Sequence, residues 1–300
     1  MNVIVPQLSG FCPGVKNAEK KIFEIKALYP DEPVYIYGYV INNRKYIEYL
    51  ENQNVHTVED ITKLPLNAIV VIRTHGINQH EEILLRKEHR VIDLTCSKVK
   101  RVQRQIQQYS QQNYFIVLTG KKDHPETKGL VSYAQNYMVI ENTEDLSEFL
   151  LSGESIIDKS RSHNIFVISQ TTGSRELFSK AISEIRKRWD TRYDIKTADS
   201  ICPVTDKKER EALALQKEAE ISFVVGDKLS SNAKKLFRIL SNGTTETYFI
   251  EDTASLQALG LPLSRYRNAL VVSSASTPVF VEKNVCDYLA SIPHSEGNIV

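Results

Sequence analysis

Short, nearly unbroken apolar runs recur along this chain with amphipathic stretches between them, and that alternation constrains the fold more than any other feature. Ile69–Ile72, Phe115–Thr119, Ile165–Ser169, Ile221–Val225 and Ala269–Ser273 are such runs. Strands buried on both faces read this way. Further short runs lie at Val3–Val5, Val34–Tyr37, Val91–Asp93, Tyr137–Ile140 and Thr247–Ile250. Helical patterns fill the gaps at Val15–Leu28, Ile77–His89, Lys98–Gln111, Arg175–Trp189, Lys207–Glu220 and Ala233–Ile239. Strand and helix in alternation predict an α/β fold with mainly parallel sheets.

Three hundred residues suit two or three compact domains. A hydrophobic share of 41% and a charged share of 25% are ordinary for a globular protein. The net charge of +1 gives no reason to expect nucleic acid or an anionic membrane as partner. No apolar run approaches the ~20 residues needed to span a bilayer. The opening Met1-Asn2-Val3-Ile4-Val5-Pro6 reads as a strand with no targeting peptide ahead of it, and the cytoplasm is the expected compartment. Four widely spaced cysteines argue against a disulfide framework.

Cys12, Cys96 and Cys202 each follow a strand-like run and precede a helical one. A cysteine there lies near a helix N-terminus, where free N–H groups and the positive dipole end favour a thiolate. The contexts also match: Cys12-Pro13-Gly14-Val15-Lys16, Cys96-Ser97-Lys98-Val99-Lys100 and Cys202-Pro203-Val204-Thr205-Asp206-Lys207 all open a polar, basic helix. Three similar α/β units follow, with expected domains 13–96, 97–196 and 197–290 and terminal segments 1–12 and 291–300. A pseudo-threefold trefoil of such units would bring three thiolates to one soft metal centre, with a coordination position left open if that centre is a cubane. Each cysteine taken singly is also compatible with a core position, which leaves the matching contexts unexplained. Zinc is a further alternative, although no close Cys-x-x-Cys pair is present. Cys286 sits among apolar residues at helical spacing and reads as a core residue of a terminal helix.

Reactive groups in open α/β sheets come from the carboxyl ends of strands. Five polar clusters sit there: Arg73-Thr74-His75-Gly76, Gly120 to Thr127 with His124 and Glu126, Ser169-Gln170-Thr171-Thr172-Gly173, Gly226 to Asn232, and Ser273 to Pro278. Ser230, Ser231, Asn232 and Ser276 are short hydrogen-bonding side chains at helix starts, suited to a phosphate or diphosphate. Simple N-capping accounts equally for any one of them. His75 and His124 can donate to an anion when protonated. Glu126 makes a proton donor if desolvation raises its pKa, and is otherwise an exposed loop carboxylate.

Together these residues resemble one family, the 4-hydroxy-3-methylbut-2-enyl diphosphate reductases of the methylerythritol phosphate route to isoprenoids. The resemblance runs from Gly10-Phe11-Cys12-Pro13-Gly14-Val15 to Ala275-Ser276-Thr277-Pro278, through Thr74-His75-Gly76, Asp93-Leu94-Thr95-Cys96, His124-Pro125-Glu126, Gln170-Thr171-Thr172, Ile201-Cys202 and Ser230-Ser231-Asn232. It implies that Cys12, Cys96 and Cys202 hold a 4Fe-4S cluster with one open iron. It implies a diphosphate pocket of His75, Ser230, Ser231, Asn232 and Ser276 with His124 nearby. Glu126, helped by Thr171, is implied as the proton source, with His124 counted among the catalytic residues. The implied fold is a trefoil of three α/β domains, and the implied electron donor is a ferredoxin or flavodoxin.

The chain departs from the family pattern at three places. Asn42, in Val40-Ile41-Asn42-Asn43, stands where the family has a diphosphate-binding histidine. An amide donates hydrogen bonds but carries no charge. Ser97 follows the second cysteine in place of proline, and Ser274 replaces a glycine. The expected function is therefore reductive dehydroxylation of the family's diphosphate substrate, with two alternatives. One is a paralogue that uses the same cluster on another small molecule, which Asn42 favours. The other is a non-catalytic iron–sulfur sensor, against which Glu126, Thr171 and the Ser/Asn pocket argue.

Overall fold

The computed structural model describes residues 1–41, 43–228 and 230–293, and the side chain of Ser231 lies outside the described set. In chain order the elements are β1 (Asn2–Ile4), α1 (Pro13–Leu28), β2 (Val34–Tyr37), α2 (Arg44–Glu51), β3 (Val55–Val58), β4 (Ile69–Ile72), α3 (Gln79–Glu88), β5 (Arg90–Asp93), α4 (Ser97–Gln111) and β6 (Tyr114–Thr119). There follow α5 (Pro125–Val131), β7 (Tyr137–Ile140), α6 (Thr143–Lys159), β8 (Asn164–Ser169), α7 (Arg175–Trp189), β9 (Asp194–Ala198), α8 (Pro203–Gln216) and β10 (Ile221–Val225). The last are α9 (Ser231–Ser241), β11 (Thr247–Ile250), α10 (Thr253–Ala258), β12 (Asn268–Ser273) and α11 (Val279–Ser291).

The strands form three four-stranded sheets, in the orders β1-β12-β10-β11, β3-β2-β4-β5 and β7-β6-β8-β9. The registered pairs run parallel, as the continuous apolar runs require. All four residues of β4 and all six of β6 are buried. The α/β expectation therefore holds: three parallel sheets are wrapped by helices.

The chain divides into two compact units. The first comprises Met1–Leu28, Tyr39–Thr57 and Pro203–Val300, and the second Tyr29–Gly38 and Val58–Cys202. The first contains the β1-β12-β10-β11 sheet, with a core of Ile221, Phe223, Val225, Ala269 and Val271 against Val281, Val285 and Leu289 of α11. The second contains β6 to β9, with Phe115, Val117, Ile165 and Val167 packed on Phe149, Ile185 and Trp189. On the other face of that sheet, Ile116, Leu118, Phe166 and Ile168 meet Val99, Val102 and Ile106 of α4.

Two strands and four helices escaped the sequence reading. β3 (Val-His-Thr-Val) and β9 (Asp-Ile-Lys-Thr-Ala) are sheet-edge strands, partly exposed, so their polar residues mask the pattern. Helix α6 contains Gly153, normally a helix-weakening residue. A Cβ at Gly153 would meet Trp189 at 2.8 Å and the helix's own Phe149 at 2.9 Å, so the glycine is what lets α6 lie against Trp189 of α7. Helices α2, α5 and α10 run only 8, 7 and 6 residues, too short to show a clear period. Cys286 lies on α11, half-buried against the core of the first unit, in line with its reading as a packing residue.

Leu118 is fully buried on β6, which is paired on both sides. Leu118→Ala is expected to lower stability by about 2–5 kcal/mol, read as a shifted denaturant midpoint. A shift near zero would mean that this sheet face is less tightly packed than described.

Candidate functional site

In a parallel sheet every strand delivers its following loop to the same edge. The second unit has two such edges: one sheet carries the loops after β4 and β5, and the other carries those after β6, β8 and β9. Two main-chain bonds brace them. Cys96 N donates to Thr74 O at 3.0 Å, and Cys202 N donates to Thr171 O at 2.7 Å. Each cysteine of this unit is thus fixed to a loop that bears another predicted site residue. Cys96 occupies the N-cap position of α4 but makes no side-chain capping bond, so its sulfur is not used to start the helix.

Glu126 is 1% exposed. Thr171 N donates to its Oε1 at 2.6 Å, and Thr171 Oγ1 donates to its Oε2 at 2.9 Å. Burial raises the Glu126 pKa from 4.5 to about 7, although both Thr171 bonds pull it down. The exposed-carboxylate alternative is overturned: α5 carries Glu126 inward in its first turn. Gln170 steadies the same loop. Its Oε1 accepts from Lys121 N at 3.1 Å and Thr127 Oγ1 at 3.4 Å, and its Nε2 donates to Thr172 Oγ1 at 2.9 Å.

His75 and His124 meet edge to face, with ring centroids 5.5 Å apart. His124 caps α5 by accepting from Glu126 N through Nδ1 at 3.1 Å. That bond requires an unprotonated Nδ1, which leaves Nε2 to carry the ring proton of neutral His124. Both rings keep partial solvent exposure, yet dense protein surroundings dominate. Burial, then His124 and Arg73, lower His75 to about 3. Burial, then Lys121 and Arg73, lower His124 to about 4. The histidines are therefore neutral in the unliganded chain at neutral pH, so the protonated form that the sequence reading considered for anion binding is not the resting one. Arg73 is the cation of this region. It lies against Gly38, which adopts a left-handed φ of +77° and whose Cβ, if present, would fall 2.1 Å from the guanidinium.

The first unit gathers the serines. Ser230 caps α9 by accepting from Ala233 N at 3.2 Å, as the capping alternative holds. Its hydroxyl also lies 2.7 Å from Ser276 Oγ, which in turn lies 2.9 Å from Ser274 Oγ. Ser274 and Thr277 reach back to β10, through Ser274 N and Thr277 Oγ1 bonds to Val225 O of 3.2 and 2.8 Å. Ser230 and Ser276 are both buried, and Asn232 is half-buried in the first turn of α9. Asn42 and the Ser231 side chain lie outside the described residues. The loop after Asn42 is anchored within this unit by Asn43, which caps α2, by an Arg44 N bond to Asp227 Oδ2 of 3.1 Å, and by a Lys45–Asp252 ion pair.

Cys12 belongs to the first unit, and Cys96 and Cys202 to the second. All three lie outside any disulfide and are partly exposed. As a donor set, three thiols suit iron–sulfur ligation. Among the described residues, no group of three or more His, Cys, Asp and Glu side chains is arranged to hold a metal ion. Cys286 stays apart from this chemistry, because burial pushes its thiol up to about 12.

Sequence reasoning missed Lys208. Its Nζ donates to Gly10 O at 2.6 Å and Ser273 O at 3.2 Å, and it is buried in the first unit. A signal was present: Lys208, Ala212 and Gln216 recur every fourth residue and form the buried face of α8.

The family described as LytB protein matches residues 3–290. Relatives named 4-hydroxy-3-methylbut-2-enyl diphosphate reductase include one from Helicobacter pylori (strain Shi470), 34% identical over 289 residues, covering 94% of this chain and 97% of the relative. One from Clostridium tetani is 31% identical over 294 residues, and the match covers 94% of this chain but 42% of that longer protein. A solved structure of (E)-4-hydroxy-3-methyl-but-2-enyl diphosphate reductase, the terminal enzyme of the non-mevalonate pathway, is 28% identical with a TM-score of 0.74, covering 97% of this chain and 99% of that one. The reductase structure from Plasmodium falciparum shares the fold at a TM-score of 0.82 and 24% identity, covering 98% and 89%.

The folded pKa of Glu126 lies above its reference value of 4.5. The neutral carboxyl's contribution to stability is then full below 4.5 and lost as pH rises through about 7. Glu126→Gln is expected to remove that loss, so its denaturant midpoint should gain on the unsubstituted chain between those pH values. Comparing the two chains cancels the histidines, whose lowered pKa values act with the opposite sign. A constant difference would show that Glu126 titrates like an exposed carboxylate.

Proposed function

The chain belongs to the LytB protein family, and from that premise we propose that it reductively dehydroxylates (E)-4-hydroxy-3-methylbut-2-enyl diphosphate to isopentenyl and dimethylallyl diphosphate. The observation that carries this reading is the buried Glu126 carboxyl, held on both oxygens by Thr171 and poised near neutrality. The overall change breaks the allylic C–O bond, forms a C–H bond, consumes two electrons and two protons, and releases water. A proton must reach the leaving oxygen, because hydroxide is a poor leaving group. A carboxyl with a pKa of about 7 is still substantially protonated at neutral pH and gives up that proton readily. Thr171 fixes the carboxyl's orientation, and its own hydroxyl becomes a second donor to substrate oxygen if it turns from Glu126.

Cys12, Cys96 and Cys202 are the proposed ligands of a 4Fe-4S cluster, which when bound would supply the electrons and a Lewis-acidic iron. A ferredoxin or flavodoxin is the proposed donor of those electrons. His75, Ser230, Ser231, Asn232 and Ser276 are the proposed diphosphate contacts, with His124 beside His75 and Asn42 in the place of the family's further histidine. Neutral His124 still offers Nε2–H to an anion. A bound diphosphate would also raise the pKa of both histidines, since an opposite charge favours the protonated ring. Holding the diphosphate uses binding energy to place the allylic alcohol against Glu126.

Asn42 favours a second reading, in which the same site reduces a molecule without a diphosphate. Anaerobic reconstitution with iron and sulfide, followed by turnover of the diphosphate alcohol with a reduced viologen dye, separates the two. Cluster uptake with rapid turnover is expected. Cluster uptake without turnover would overturn the diphosphate assignment. In the reconstituted protein Glu126→Gln is expected to cut turnover by about 10²–10⁴-fold and leave the cluster's absorption spectrum intact. Unchanged turnover would remove Glu126 from the proton-donor role.

A further inference from the structure

Lys208 is 5% exposed, with its ammonium in the interior of the first unit. Burying a cation costs several kcal/mol unless hydrogen bonds and opposite charge compensate it. Here the direct compensation comes from two backbone carbonyls. Gly10 O, at 2.6 Å, belongs to the loop two residues before Cys12. Ser273 O, at 3.2 Å, ends β12 and opens the loop that carries Ser274 and Ser276. The same two segments meet again through Gly10 N to Ser273 O at 3.3 Å and Ser273 N to Ser9 Oγ at 2.8 Å. Ser9 Oγ donates to Glu282, while Glu211 of α8 accepts from Gln7 N at 2.7 Å and Leu8 N at 3.3 Å. The stretch before Cys12 is therefore held from three sides, and Lys208 is the charged member of that frame.

Burial lowers the Lys208 pKa to about 8, and negative groups nearby, Glu282 and Glu211 among them, oppose that shift. At neutral pH the side chain is a cation.

We propose that Lys208 is a positioning residue that clamps the Cys12 loop to the Ser276 loop and places a cation beside the loop whose Cys12 would ligate a cluster. The second half rests on the reading of Cys12 as a cluster ligand; the clamp does not. In this way one side chain couples the setting of a metal ligand to the setting of a phosphate-binding loop.

Lys208→Met keeps the aliphatic stem and loses both donors and charge. Hydrogen exchange on the full-length chain without cluster reads the clamp. The Gly10 and Ser273 amides are expected to exchange faster by about tenfold or more, as for loss of a charge-assisted hydrogen bond, with β10 unchanged. On the reconstituted protein the cluster's midpoint potential is expected to move in the negative direction, because a cation that favours the reduced state is gone. Lys208→Arg should restore the potential. Unchanged exchange at Gly10 and Ser273, or an unchanged potential, would overturn the corresponding half of the proposal. If the methionine variant does not fold, Lys208→Gln keeps one donor without charge, and an unshifted potential there overturns the charge role equally. If the unsubstituted chain takes up no cluster, the reading of Cys12 fails and hydrogen exchange alone decides the clamp.

Discussion

Parallel strand pairing is the constraint on which the rest of this structure depends. A parallel sheet needs a crossover between strands, and most crossovers here are helices, the link from β3 to β4 with its short 3-10 turn at Ile61–Lys63 being an exception. Most strands then end where a loop must turn into a helix, and all such turns in one sheet share an edge. Glu126, His75, Thr171, Ser230 and Ser276 occupy these turns, as do Cys96 and Cys202. The registers of β6 with β8 and of β10 with β12 decide which turns become neighbours. That is how Glu126, after β6, comes to meet Thr171, after β8.

Burial then sets the chemistry of the groups so gathered. The same desolvation that raises a carboxyl lowers an imidazole or an ammonium, because in each case the neutral form is favoured. Glu126 and His75 move in opposite directions for this one reason. The result is two histidines that stay neutral at neutral pH beside the positive charge of Arg73 and Lys121, and a Glu126 carboxyl that keeps much of its proton. Lys208 resists the trend, because two carbonyls and nearby negative groups keep its charged form favoured at neutral pH.

Much of the fold was legible because fully buried strands leave unbroken apolar runs. Ile69–Ile72 and Ile221–Val225 were read to the residue. Edge strands β3 and β9 were not, since each has only one buried residue and their polar side chains break the apolar run. Helix α6 was hidden by a glycine whose purpose, close approach to Trp189, exists only in three dimensions. In the candidate site, Glu126, Thr171 and the serines could be named from short motifs at strand ends. Their partnership could not, because 45 positions separate Glu126 from Thr171 and nothing local links them.

The parts that stayed hidden share a physical cause. Motifs record side chains, whereas much of this framework is anchored on main-chain atoms. Thr74 O receives Cys96 N, Thr171 O receives Cys202 N, and Gly10 O and Ser273 O receive Lys208. A carbonyl acceptor has no residue identity, so sequence cannot announce it. What sequence does show is the donor, and only when the donor is out of place, as a lysine is on the buried face of α8. A charged residue on a buried helix face is here the visible end of a contact whose other end is backbone. Read that way, Lys208 carries as much information about the Cys12 loop as the residues that flank the cysteine itself.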